Sequence, residues 1–88
     1  MRCQGWGLTE QGVTFAVIIV NRSVIHNRIE ADKIIQNFQQ QIFSGMPVIL
    51  MAQDPRGTPT YYGRQDISRF LSRVPLSAIP WKEYDITY

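Results

Sequence analysis

The chain has 88 residues, 44% hydrophobic and 18% charged, with a net charge of +2. That length makes one domain, residues 1–88, and so small a charge gives no case by itself for nucleic acid. One cysteine, Cys3, and one histidine, His26, cannot build a disulfide framework or a zinc site within one chain. No metal and no other cofactor is therefore expected, and a single reduced thiol points to the cytoplasm.

Residues 1–12, MRCQGWGLTEQG, hold three glycines and no clear period. They read as an irregular N-terminal arm, with at most a short strand around Trp6 and Leu8. Trp6 is read as docking that arm on the core or on a neighbouring subunit, because large aromatics are mostly buried. Val13 to Val20 is the first strand, β-branched and apolar on both parities, so both its faces should be covered. It falls well short of the roughly 20 residues that span a bilayer. No small-residue cleavage pattern follows it, so neither a membrane segment nor a signal peptide is expected.

Asn21 to Asn27 reads as a connector in which Val24 and Ile25 pair briefly. Asn27 then suits a helix N-cap, with Glu30 three residues on. The spacing of Ala31, Ile34, Ile35, Phe38 and Ile42 predicts a helix to about Ser44, stopped at Gly45. Its other face, with Lys33, Gln36, Asn37, Gln40 and Gln41, is polar and suits solvent.

Asp54-Pro55-Arg56-Gly57 matches a type I turn followed by a left-handed residue. It predicts a hairpin of Val48 to Gln53 with Thr58 to Tyr62. Val48 to Ala52 is apolar on both faces. Pro59 cannot donate to a ladder, which puts the second strand of the hairpin at an edge. A second helix is predicted from Gln65 to Arg73, with Ile67, Phe70, Leu71 and Val74 as its apolar stripe. Asp66 and Arg73 suit its dipole, and Pro75 ends it. An extended strap follows, then a last strand from Trp81 to Tyr88. There Tyr84, Ile86 and Tyr88 alternate with Glu83, Asp85 and Thr87, as at an edge.

The order β-α-β-β-α-β predicts an α+β two-layer sandwich with a mixed sheet, most simply of ferredoxin-like order with both helices on one face. The other face would then be open, although the first two strands are apolar on it. A second copy of the chain, in a homodimer or larger assembly, is the predicted cover. That order would also place the doubly apolar Val48 to Ala52 strand at an edge. A sheet with this strand adjacent and parallel to Val13 to Val20 would suit it better.

The chain carries no GxGxxG, Walker, GxSxG, HExxH or CxxC pattern. What remains is the hairpin and its exit. Of Tyr61 and Tyr62, one should face the core and the other the outside, and Arg64 lies near the start of the following helix. Arg56, Tyr61, Tyr62 and Arg64 are thus predicted to line a pocket for a small anionic or polar ligand. The chain would be a homo-oligomeric binding module with no catalytic residue. The alternative is a small enzyme with His26 or Asp54 as base and Arg64 as anion clamp. A second alternative is weak nucleic-acid binding through Arg69 and Arg73, four apart on one helix face.

Overall fold

The computed structural model describes residues 2–10, 12–71 and 79–86. Among the described residues eight elements follow in chain order: β1 (Arg2–Glu10), β2 (Val13–Ile19), α1 (Arg22–Ile25), α2 (Arg28–Gln41), β3 (Val48–Gln53), β4 (Pro59–Tyr62), α3 (Gln65–Leu71) and β5 (Lys82–Asp85). The five strands form one mixed sheet in the order β4-β3-β2-β1-β5. β2 and β3 are parallel, and the other neighbouring pairs are antiparallel.

This order corrects the ferredoxin-like expectation. β2 and β3 lie side by side, Ala16 opposite Val48 through Ile19 opposite Met51, with α1 and α2 in the connection between them. β3 is therefore internal, which accounts for its apolar run on both faces. The edges are β4 and β5, as Pro59 and the alternation around Tyr84 led one to expect. The expected irregular arm is instead the nine-residue strand β1. It turns at Gly12, with φ +80°, and pairs with β2 from Gly5 opposite Ile18 to Glu10 opposite Val13. Trp6 sits half-buried in it, opposite Val17. Gly5 is required there for space. A Cβ on it would stand 2.5 Å from Ile18 Cδ1 and 3.5 Å from the Tyr84 ring. The glycine that weakens the strand pattern in the sequence makes room for the Ile18 side chain and for the Val17 carbonyl, 3.0 Å from that Cβ position.

The helices lie on opposite faces of the sheet, giving three layers where two were expected. On one face, Val24 of α1 and Ala31, Ile34 and Phe38 of α2 pack against Ala16, Ile18, Val48 and Leu50. Phe43 continues this core, stacked on Phe38 and edge-on to Tyr84 at 5.1 Å. On the other face, Ile67 and Leu71 of α3, with Trp81, pack against Phe15, Val17, Ile49 and Met51. Phe15, Val17 and Ile49 are fully buried by their own chain. The face that was expected to be buried between subunits is thus covered from within, because α3 crosses to it after β4.

Local corrections are small. Asn21 is followed by the short helix α1, and Val24 and Ile25 belong to it and to no strand. Asn27 caps α2 as its sequence implies, its side-chain oxygen accepting from the Glu30 N–H at 3.2 Å. α2 ends at Gln41, three residues before the expected end, and Gly45 (φ +74°) serves a turn closed by the Met46 N–H on the Phe43 carbonyl. The expectations for Arg73, Val74, Pro75, the strap at 76–78, Thr87 and Tyr88 lie outside the described residues, as does the side chain of Phe70.

Candidate functional site

The hairpin that leads to the site is built as its residues dictate. The Gly57 N–H donates to the Asp54 carbonyl at 2.9 Å, and Gly57 takes φ +84°. Asp54 Oδ1 accepts from the N–H groups of Arg56 and Thr58, both at 2.9 Å. This turn sets the register of β4 on β3, Gln53 opposite Pro59 through Leu50 opposite Tyr62. The Asp54 N–H also donates to the Thr58 carbonyl, so that pair is hydrogen-bonded across the hairpin. Bonded and non-bonded pairs alternate along an antiparallel ladder. Pro59 and Tyr61 therefore fall at non-bonded positions, and their main-chain groups point away from β3. The missing N–H of Pro59 costs the ladder nothing.

After β4 the chain turns through Gly63, with φ +145°. A Cβ here would meet Ile49 Cδ1 at 2.6 Å. This close crossing carries the chain to the second sheet face and starts α3 there. Between β4, α2 and α3 lies a groove of about 510 Å³. Arg28, Asp32 and Ile35 of α2 line it, with Tyr61, Tyr62, Gly63 and Arg64 along its floor and Gln65 and Ser68 of α3 opposite.

Three of the four sequence-predicted residues, Tyr61, Tyr62 and Arg64, thus come together. The two tyrosines do face opposite ways. Tyr61 packs into the α3-side core, its hydroxyl donating to the Leu71 carbonyl at 3.5 Å, and burial pushes its phenol pKa up. Tyr62 packs on the α2 side and donates to Asp32 Oδ1 at 2.8 Å. That hydrogen bond, with desolvation and the Asp32 charge, raises the Tyr62 phenol above its ordinary 10.0, against a smaller opposing pull from Arg28. Arg64 holds Asp66 through Nε at 3.2 Å and Nη2 at 2.6 Å. The bond to Arg64 lowers the Asp66 carboxyl, and the same bond raises the guanidinium. Arg28 makes no ion pair among the described residues.

Arg56 is not in the groove. It stays exposed at the hairpin tip, on the turn that Asp54 organises. Arg28 and Asp32 are the residues that sequence reasoning missed. Their i, i+4 spacing marks a shared face of α2, with Ile35 beside them. Which face looks toward β4 depends on the sheet order, which no local pattern carries.

The residues of the enzyme alternative divide between two places. His26 and Asp54 share a smaller cleft of about 130 Å³ with Arg22, Ile25, Ala52 and Thr60. No hydrogen bond joins them among the described residues, and Arg64 lines the larger groove instead. Arg69 is exposed on the last turn of α3, whereas Arg73 lies outside the described residues. Cys3 is buried at 7% exposure, which pushes its thiol pKa up, away from reactivity. Among the described residues no three potential ligands cluster for a metal, and no helix is long and apolar enough to cross a membrane. Comparison with known proteins finds no matching family model, no matching curated protein and no matching solved structure.

Proposed function

We propose that the chain is a small binding module whose groove beside β4 takes a polar, anionic ligand. The observation that carries this reading is the convergence of Arg28 and Arg64 on one groove with the Tyr62 phenol between the helices. Arg28 makes no side-chain hydrogen bond or ion pair among the described residues, so its N–H donors are open to a ligand. Arg64 forks onto Asp66 through two of its N–H groups and has others to spare. Guanidinium forks suit carboxylate and phosphate oxygens, and the Tyr62–Asp32 hydrogen bond fixes the α2 wall against β4. The groove works by charge, hydrogen bonding and an aromatic wall, with no covalent step.

The test is an NMR titration of the ¹⁵N-labelled chain with inorganic phosphate and with succinate at low salt. Saturable shifts are expected at Arg28, Tyr62, Gly63, Arg64 and Ser68. Arg28→Ala should weaken binding about tenfold, the worth of one charge-assisted hydrogen bond at a partly wet site. Weak, non-saturating shifts spread over all the arginines would overturn the reading.

A further inference from the structure

The groove has a position in the sheet as well as a lining. α2 and α3 cover opposite faces, yet side chains of both line this one cavity. A space reached from both faces must lie beyond the edge of the sheet, next to β4. Its lining takes in Tyr61 and Tyr62, the last two residues of β4, so it flanks one end of the place where a sixth strand would run.

The wall that β4 presents to that place is main chain. By the alternation set at Asp54 and Thr58, the N–H and C=O of Tyr61 and the C=O of Pro59 point outward. A proline and a short strand are common guards on a sheet edge. Here Pro59 shields the hairpin end of the edge, and the donor at Tyr61 stays open at the end that the groove enlarges. Gly63 adds backbone with no side chain in the way.

We infer that the groove accepts a short extended peptide segment that adds to β4 as a sixth strand and carries an acidic side chain. This deepens the anionic-ligand reading above and rests on it. Alternate residues of an added strand point to opposite faces. One set would meet Arg28, Asp32 and Tyr62 on the α2 side. The other would meet Arg64, Gln65 and Ser68 on the α3 side. Arg64 is shared with Asp66 and Asp32 accepts from the Tyr62 hydroxyl, which leaves Arg28 as the lining charge with neither an ion pair nor a hydrogen bond among the described residues. That open guanidinium favours an acidic side chain over a basic one on the α2 side. Pairing through Tyr61 supplies affinity that is independent of side-chain identity.

The probe is a fluorescein-labelled, end-capped peptide of alternating valine and glutamate, followed by fluorescence anisotropy. Three controls accompany it: the same peptide with lysine for glutamate, the same peptide N-methylated at alternate amides, and inorganic phosphate. Saturable binding of the glutamate peptide is expected. Arg28→Ala, an exposed position, should weaken it about tenfold, and N-methylation in one of the two phases should abolish it. The lysine peptide should not bind. If phosphate binds at the groove but the peptide does not, or if neither N-methylated phase weakens it, the added strand is wrong while the anion-binding groove survives. If neither peptide nor phosphate binds, both readings fail. If the chain self-associates and the peptide only competes with that, the occupant of the edge is a second copy, and the peptide proposal is overturned.

Discussion

At the scale of single residues, the Tyr62–Asp32 hydrogen bond is the contact that gives the groove its shape. It joins residues 30 apart in sequence, at 2.8 Å. Its pH dependence follows from the direction of the Tyr62 shift. The folded state holds the phenol above 10.0, first through the Asp32 hydrogen bond, so the proton is bound more tightly folded than unfolded. The stabilisation is therefore fully present below the unfolded value and is lost as pH rises through the folded one. In an absorbance titration of tyrosinate, Tyr62→Phe should remove a late-ionising component, and Asp32→Asn should move that component back toward ordinary. A Tyr62 phenol that ionises at its ordinary value would mean the hydrogen bond does not form in solution. The residues legible from sequence have partners close along the chain. Asn27 reaches Glu30, and Asp54 reaches Arg56 and Thr58. Arg28 and Asp32 were hidden because their relation to Tyr62 exists only once the sheet is assembled.

At the scale of elements, the junction from β4 to α3 decides the architecture. Gly57 and Gly63 both take positive φ, but their surroundings differ. Around Gly57 a Cβ would meet nothing within 4 Å, whereas at Gly63 it would strike Ile49 and approach the Val48 carbonyl at 3.3 Å. Gly57→Ala should thus cost about 1 kcal/mol, the price of a left-handed conformation alone. Gly63→Ala adds overpacking against the fully buried Ile49 and should cost about 2–4 kcal/mol. Urea midpoints of the two variants check the ranking, and equal losses would mean that α3 does not cross so close to β3. The hairpin before this junction was readable because its turn chemistry is local and redundant. β1 was not, since Gly5 and Gly7 break the apolar alternation that marks a strand. The reason for Gly5 lies in the Ile18 side chain and the Val17 carbonyl of β2, which approach it across the sheet, whereas nothing crowds Gly7 closer than ordinary contact. Likewise the stripe of Ile67 and Leu71 shows that α3 buries one side, while nothing in its period says which face of the sheet receives it.

At the scale of the whole molecule, the apolar runs of β2 and β3 carried a true statement about burial and left its agent open. Both faces had to be covered, and a count of helices on one face implied a second copy. The chain meets the requirement alone by sending α1 and α2 to one side and α3 with Trp81 to the other. Both cores run through β2 and β3, with Ala16 and Ile18 in one and Phe15 and Val17 in the other, so the two layers share a central parallel pair. Among the described residues Ile29, at 72%, is the large hydrophobic left exposed, and a single such residue makes no patch. Among the described residues no sheet face is then left to drive association through apolar burial. Light scattering behind a sizing column should give the mass of one chain over a wide concentration range. A mass that doubles with concentration would have to arise at an edge, and the two edges are unequal. β5 presents charged Lys82, Glu83 and Asp85, whereas β4 presents the groove and the outward main chain of Tyr61. A dimer lost in Tyr61→Pro but kept in Tyr61→Ala, which removes the same core side chain and leaves the outward donor in place, would therefore place self-association at the same edge that the acidic strand is proposed to use.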